Sequence, residues 1–222
     1  ERPDLTFPNF GDDKFKGDVS VTFCPERVLP GNIFHELVHN DRIVGGINAS
    51  STKYLLNFYN SFVKGDVIET NSKTAEMCKL AENSFRDTNI AFANSLSIMC
   101  DEKGIDVWNL ISLANRHPRV NILNPGPGVG GHCIAVDPWF LISELLEGTD
   151  LIHQSRQVND SKPLWVHSKI INAVSSVSIN KKSKPIIGCF GLTFKPDIDD
   201  IRESPAMKIY NRLQDDGYNV KA

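Results

Sequence analysis

No stretch of these 222 residues is long and apolar enough to cross a bilayer, and the N-terminus carries no signal-peptide pattern. Basic runs are missing too. Beyond Lys181-Lys182 none occurs, and the net charge is −3, so neither nucleic acid nor a membrane surface is an expected partner. No C-x-x-C pair is present. The five cysteines, Cys24, Cys78, Cys100, Cys133 and Cys189, are odd in number and widely spaced, which fits reduced thiols in a cytoplasm rather than a disulfide frame or a zinc ribbon. In that compartment the sequons at Asn48 and Asn159 would carry no glycan. The hydrophobic content is 41% in a chain of this length, enough for one large domain or two small ones.

The residues that are concentrated lie in one segment, Asn124-Pro-Gly-Pro-Gly-Val-Gly-Gly-His-Cys133, followed by Ile-Ala-Val-Asp137. Glycines 126, 128, 130 and 131 let backbone N–H groups approach a ligand, while Pro125 and Pro127 restrict the freedom those glycines bring. A thiol at the end of such a loop, with a carboxylate four residues on, is how a nucleophile would be presented. A tight turn around a buried, inert structural cysteine is the competing reading.

Two other patterns compete for a function. Gly126 to Gly131 fits G-x-G-x-x-G, with Asp150 near the position of a ribose-binding acid, but a dinucleotide fingerprint follows a strand and opens a helix, and this one does neither. His35-Glu36-Leu-Val-His39 fits H-E-x-x-H and opens the alternative of a zinc hydrolase. Its helical segment is short, from Pro30-Gly31 to the glycines 45 and 46, and no third ligand with a recognisable motif follows, so a surface helix with two incidental histidines is the plainer account.

Along the chain, residues 19–23 alternate like a strand, 51–63 read as a helix and 67–70 as a second strand, the closing pieces of an α/β sheet. From Ser72, placed as an N-cap, to Lys103, the residues Met77, Leu80, Ala81, Phe85, Phe92, Leu96 and Met99 recur at helical spacing without a proline. This predicts one helix of about 48 Å. Shorter helices are expected at 106–115, 140–146 and 164–176, a polar linker at 180–184, a buried strand at 185–193, a helix at 204–216 and a new strand from Tyr218. The fold class is α/β: the end of one Rossmann-like domain over residues 1–71, a central helical domain with the cysteine loop over 72–180, and the start of a second Rossmann-like domain over 181–222. A βαβ unit whose second strand has barely begun is expected to be part of a longer whole.

On the long helix Lys79, Asn83 and Arg86 share a face, a stripe that could bind an anion or simply be solvated. With Cys24-Pro-Glu-Arg-Val-Leu-Pro-Gly31, Thr74-Ala-Glu-Met-Cys-Lys-Leu-Ala-Glu-Asn83, Gly128-Val-Gly-Gly-His-Cys-Ile-Ala-Val-Asp137, Phe190-Gly-Leu-Thr-Phe-Lys-Pro-Asp197 and Arg202-Glu-Ser, the chain resembles the UDP-glucose/GDP-mannose dehydrogenase family over essentially its whole length. The resemblance implies two Rossmann-like domains joined by a long helix at the core of a homodimer. It also implies NAD as cofactor and a UDP-sugar oxidised twice at C6, from alcohol through aldehyde to carboxylate. A UDP-N-acetylhexosamine is the implied substrate, N-acetyl-D-mannosamine foremost, with a uronic acid for surface polysaccharide as product.

By the same resemblance Cys133 would attack the aldehyde and leave a thioester after hydride loss. Lys79 would stabilise the oxyanion and favour the thiolate, and Asn83 would donate to the same oxygen. Glu26 and Asp137 match acids that position or activate the hydrolytic water. Arg27, Val28, Arg86, His117, Arg119, Gly130, Phe194 and Lys195 match positions that hold the UDP-sugar, Arg119 from a partner subunit. Arg202 matches a contact to NAD. Where UDP-glucose members carry a second acid four residues after the first, this chain has Pro30, which points away from glucose. The strand, glycine loop and helix that bind NAD are missing from these residues, so the chain is expected not to turn over alone; a UDP-sugar-binding, dimerising piece is the alternative.

Overall fold

The computed structural model describes residues 4–17, 19–28, 31–145, 147–178 and 185–222. Contacts divide the chain into two compact units, Glu1–Glu82 and Asn83–Ala222, so the division falls within the long helix. The expected linker at 180–184 and Leu146 lie outside the described residues, as does Pro30.

The first unit holds β1 (Thr22–Phe23), α1 (Ile33–His39), β2 (Arg42–Gly46), α2 (Ala49–Asn60), β3 (Val67–Asn71) and the start of α3 (Ser72–Lys103). Its sheet runs β1-β2-β3, with β1 antiparallel and β3 parallel to β2, so β2-α2-β3 is a parallel crossover. The central strand was not expected: the segment read as helical as far as Gly45 leaves the helix at His39 and becomes β2. The reason is close packing on the two glycines. A Cβ on Gly45 would lie 2.3 Å from the Asn71 carbonyl oxygen, and one on Gly46 would lie 2.3 Å from the Thr52 nitrogen, so only glycine lets β3 and α2 come this near. Val44 beside them is fully buried. The strand expected at 19–23 is reduced to Thr22–Phe23. The helix expected at 51–63 instead runs Ala49–Asn60, because the Asn48 side chain accepts from the Ser51 N–H at 2.9 Å and caps it earlier. Likewise Asn71, not Ser72, caps α3, its Oδ1 accepting from the Thr74 N–H at 3.0 Å.

The second unit carries the rest of α3, then α4 (Val107–Ala114), α5 (Asp137–Glu144), α6 (Asp150–Ser178), β4 (Ile186–Gly188), α7 (Pro205–Asp215) and β5 (Asn219–Lys221). Asp106 and Ser204 cap α4 and α7 through their side chains. β4 and β5 pair in parallel across α7, and Ile209, Leu213 and Val220 form a core against Val166, Ile170 and Ile187. The expected buried strand is three residues long, and Ile186 is 59% exposed because β5 is its single neighbour among the described residues. The helix expected at 164–176 begins at Asp150 instead and runs through Pro163. Pro163 removes the N–H that would meet the Asn159 carbonyl, and that oxygen instead faces Gly128, whose added Cβ would lie 3.2 Å away.

Buried polar residues join α3 to the front half of α6. Asp87, Asn94, Arg156, Asn159 and Lys162 are all at most 2% exposed. Arg156 donates to Asp87 at 2.7 Å and pairs with Asp160; Asn159 donates to the Asp87 carboxylate at 2.8 Å; Asn94 donates to the Asn159 side-chain oxygen at 2.9 Å. Burial pushes the Asp87 carboxyl up against the pull of Arg156 and Asn159, and it pushes Lys162 down to about 8. Both sequon asparagines are buried, Asn48 at 5% and Asn159 at 1% exposure, and both use their side chains internally.

On the opposite side of α3, Phe85, Phe92 and Met99 repeat every seven residues and are 69%, 52% and 52% exposed. No helix among the described residues is long and apolar enough to cross a membrane.

Removing one partner of a buried ion pair leaves the other uncompensated. Asp87→Ala is therefore expected to lower the unfolding free energy of the intact protein by about 3–5 kcal/mol in urea denaturation, through the stranded Arg156.

Candidate functional site

The glycine loop is held from α3 before it reaches the cysteine. Asn89 accepts from the Leu123 N–H at 3.0 Å and donates to the Asn121 carbonyl at 2.9 Å; Asn94 accepts from the Gly126 N–H at 2.8 Å. Further along, the loop lies against the segment that precedes α7. A Cβ on Gly130 would come within 2.6 Å of Phe194 Cβ and 2.7 Å of the Glu203 carbonyl oxygen, and one on Gly131 within 2.9 Å of the Phe194 ring. The Gly131 N–H donates to the Arg202 carbonyl at 3.0 Å. Gly131 has φ +86°, while Asp197 and Glu203 adopt the left-handed region at φ 60° and 50° without being glycine, so backbone strain gathers on both sides of this contact.

Cys133 ends the loop. Its carbonyl accepts from the Val136 and Asp137 N–H groups at 3.0 and 2.8 Å, a turn that leads directly into α5. The thiol is half-buried, unlike the enclosed Cys100, and all five cysteines are unpaired. Cys24, Cys78 and Cys189 share this partial burial. Asp137, first in α5, accepts from the Asn83 amide at 2.5 Å, with Asn83 7% exposed on α3. Arg202 is fixed by Asp200, whose carboxylate accepts from its N–H, Nε and Nη2 at 2.9, 3.0 and 2.7 Å. Those hydrogen bonds hold the Asp200 carboxyl down at about 2, and Asp200 first, then Cys133, raises the Arg202 guanidinium above its ordinary value. His132 Nδ1 lies 4.0 Å from Asp200. Lys195 stands 5.9 Å over the Phe194 ring.

In the second unit the fold thus brings Cys133, Gly130, Phe194 and Arg202 to one place, and Asn83 to Asp137. His117 and Arg119 lie exposed in the turn after α4, where the Arg119 N–H donates to His117 Nδ1 at 3.3 Å, and Arg86 is exposed on α3; no hydrogen bond or ion pair joins these three to the cysteine loop among the described residues.

The first unit gathers the remaining expected residues. Glu26 Oε1 accepts from the Arg27 and Val28 N–H groups at 2.7 and 2.9 Å and from Arg42 Nη1 at 3.3 Å. Burial pushes the Glu26 carboxyl up, but the two amides and Arg42 outweigh it and hold it below its ordinary value. Lys79 Nζ donates to the Glu26 carbonyl at 2.8 Å, and Arg27 pairs with Glu82. Sequence reading missed Arg42 and Asp200. Arg42 was hidden because its strand was not foreseen; Asp200 carried one usable signal, a carboxylate two residues before Arg202 in a turn.

His35 and His39 stack with ring centroids 4.2 Å apart, and His39 Nδ1 donates to the His35 carbonyl at 2.9 Å. Among the described residues no group of three His, Cys, Asp or Glu side chains is placed to hold a metal ion.

Three domain models of one family match the chain: the NAD binding domain of the UDP-glucose/GDP-mannose dehydrogenase family over residues 8–63, its central domain over 73–161 and its UDP binding domain over 188–222. UDP-N-acetyl-D-mannosamine dehydrogenase of Yersinia pestis is 56% identical over 211 residues, covering 94% of this chain and 50% of that protein. NDP-N-acetyl-D-galactosaminuronic acid dehydrogenase of Ralstonia nicotianae is 54% identical over 213 residues, covering 96% and 49%. A solved UDP-D-ManNAc dehydrogenase from Pyrococcus horikoshii has a TM-score of 0.85 at 43% identity, over 90% of this chain and 48% of that one. The chain spans about half the length of the curated relatives it matches.

Gly130 leaves no room for a methyl group between Phe194 and Glu203. Gly130→Ala is expected to cost about 1–3 kcal/mol by overpacking and to unseat the loop, read as a lower melting temperature together with faster alkylation of Cys133 by iodoacetamide.

Proposed function

We propose, of a chain that belongs to the UDP-glucose/GDP-mannose dehydrogenase family, that it serves the twofold oxidation of a UDP-N-acetylhexosamine at C6 to the uronic acid. The observation that carries this reading is the half-buried Cys133 on a glycine loop seated against Phe194 and the Arg202 segment. The glycines let the loop close on Phe194 and Glu203, and its further anchorage by Asn89 and Asn94 supports a thiol presented in a fixed direction.

The chemistry assigns each residue a task. A second hydride can leave C6 only from a tetrahedral centre, so the Cys133 thiolate adds to the aldehyde carbon and gives a thiohemiacetal. Loss of hydride from that carbon leaves a thioester. Two molecules of NAD, bound in turn, would each take one of the two hydrides. Water then bonds to the acyl carbon, the carbon–sulfur bond breaks, Cys133 leaves as thiolate, and the two protons of water pass to solvent as the carboxylate forms. Lys79 and Asn83, one turn apart on α3, are the donors for the oxygen on C6, and Asp137 and Glu26 serve the water. Asp137 already holds Asn83 by a hydrogen bond, which orients the amide. Arg202 fits a diphosphate: its side chain is 62% exposed, and among the described residues Nη1 is left over once Asp200 has taken Nε and Nη2. Arg27, Val28, Arg86, His117, Arg119, Gly130, Phe194 and Lys195 are the residues for the UDP-sugar.

UDP-N-acetyl-D-mannosamine is the substrate we favour, since that activity names the Yersinia and Pyrococcus relatives; the Ralstonia relative, named for a different aminosugar acid, is nearly as similar. The product suits surface polysaccharide synthesis in a cytoplasm. A second copy of the chain is the partner we assign to the exposed Phe85, Phe92 and Met99 row, whose heptad spacing is that of helices packed side by side. Binding of UDP-sugar without NADH formation by this chain would instead favour a binding and dimerising piece. The zinc alternative lacks a third ligand among the described residues.

The intact enzyme should release two NADH per UDP-sugar consumed, with one sugar preferred among UDP-N-acetylmannosamine, UDP-N-acetylglucosamine, UDP-N-acetylgalactosamine and UDP-glucose. Cys133→Ala should abolish the second oxidation; two NADH from that variant would overturn the covalent mechanism. Phe92→Glu places a charge in the apolar row and should halve the mass seen by sedimentation equilibrium, while an unchanged mass would remove the row from the interface.

A further inference from the structure

Arg42 is the largest fully buried side chain of the first unit, 2% exposed, and the chemistry above leaves it without a task. It stands on β2 and reaches two ways. Nη1 donates to Glu26 Oε1 at 3.3 Å, and Nη2 donates to the Leu37 carbonyl at 3.1 Å, just before the end of α1. The guanidinium carbon lies 5.8 Å over the Tyr59 ring, and buried Nε has no partner among the described residues. A buried guanidinium with an unsatisfied N–H is a poor way to stabilise a fold, because its desolvation cost is incompletely returned. Its presence is better explained by what it holds.

What it holds is one oxygen of a carboxylate. All three donors, the Arg27 N–H, the Val28 N–H and Arg42, converge on Glu26 Oε1, and none reaches Oε2 among the described residues. The side chain as a whole remains 58% exposed. A carboxylate held by one oxygen can rotate about neither its own axis nor its stem without losing hydrogen bonds, so the other oxygen has a fixed direction. We propose that Arg42 is a positioning residue which, with the two backbone amides, occupies Glu26 Oε1 and leaves Oε2 as the acceptor that orients the water of thioester hydrolysis. The proposal rests on the reading of Glu26 given above. It adds that Glu26 works as an ionised orienting group, with the proton of water passing to solvent, and that a cation on the neighbouring strand sets its direction.

The groups facing Glu26 are Arg42 from β2, Tyr59 from α2, Cys24 two residues before it, and Lys79 from α3, whose Nζ donates to the Glu26 carbonyl; Arg27 is engaged by Glu82. Of these only Arg42 is a cation bonded to the carboxylate. Losing it removes one of the influences that lower the Glu26 carboxyl, so the acid limb of hydrolysis should move to higher pH.

The test uses the intact enzyme with Arg42→Met, Arg42→Lys and Glu26→Gln. Glu26 is mostly exposed, so Arg42→Met strands no buried charge, and the variant should fold with a melting temperature near the parent's. Arg42→Met should slow hydrolysis by about 10²-fold, the scale of an Å-sized misplacement. KM for the UDP-sugar should stay within about twofold, because a transition-state contact and not ground-state binding is lost. The acyl adduct on Cys133 should accumulate in the mass spectrum after a rapid quench, and Arg42→Lys should recover part of the rate and of the acid limb. A Glu26→Gln enzyme that hydrolyses its thioester normally would defeat the reading of Glu26 and this proposal with it. Slow hydrolysis in Glu26→Gln with normal hydrolysis and no adduct in Arg42→Met would overturn the role of Arg42 alone. A fall in melting temperature in Arg42→Met with an unmoved pH profile and full adduct turnover would also overturn it, as a structural role predicts. If Arg42→Met does not fold, Arg42→Lys decides by the same adduct and pH readouts.

Discussion

The second unit depends on a carboxylate that cannot leave. Asp87 is wholly buried on α3 and is answered by Arg156 and Asn159 from α6, so charge and hydrogen bonding hold the two helices in one register. Sliding α6 by a single residue would turn these groups by about 100° and leave charges buried without partners. From that lock the order of the glycine loop follows in steps. Asn159 orients Asn94, Asn94 takes the Gly126 N–H, and the proline-stiffened glycines carry the chain on to Cys133. Even Pro163 takes part, since the carbonyl it frees faces Gly128.

A second dependence runs between the loop and the segment before α7. Gly130 and Gly131 admit Phe194 and Glu203 at distances no other residue would allow, and Arg202 enters through both its carbonyl and its guanidinium. Asp200 ties this segment together, accepting from the Arg202 backbone and side chain while its own carbonyl accepts from the Phe194 N–H at 3.2 Å. The residues between 194 and 204 are therefore positioned by local polar contacts and by strained backbone, and they in turn hold the glycine loop that ends at Cys133.

The same device recurs in the first unit at smaller scale. Arg42 relates to Glu26 as Arg156 relates to Asp87, a buried guanidinium holding a carboxylate. The difference lies in exposure. Asp87 is sealed and its pairing is structural, whereas Glu26 keeps an oxygen open among the described residues and its pairing leaves a directed acceptor. Burial of the acid, not of the arginine, decides which of the two roles results.

The order of motifs along the chain, the long helix at Ser72–Lys103, the crossover through α7 and the cysteine at the end of its glycine loop were all legible in the sequence, because each is a local matter of period, caps and breakers. Tertiary structure alone decided the rest. β2 is a strand since two glycines let α2 and β3 close on it, and α6 continues through Pro163 since its buried face is built of Arg, Asn and Lys, which no hydrophobic period reveals. Arg42 was invisible for the same reason, and Asp200 showed only its nearness to Arg202. A polar residue's role depends on which partner desolvates and bonds it, and those partners, from Arg42 on β2 to the distant Glu26 turn, meet only when the chain is folded.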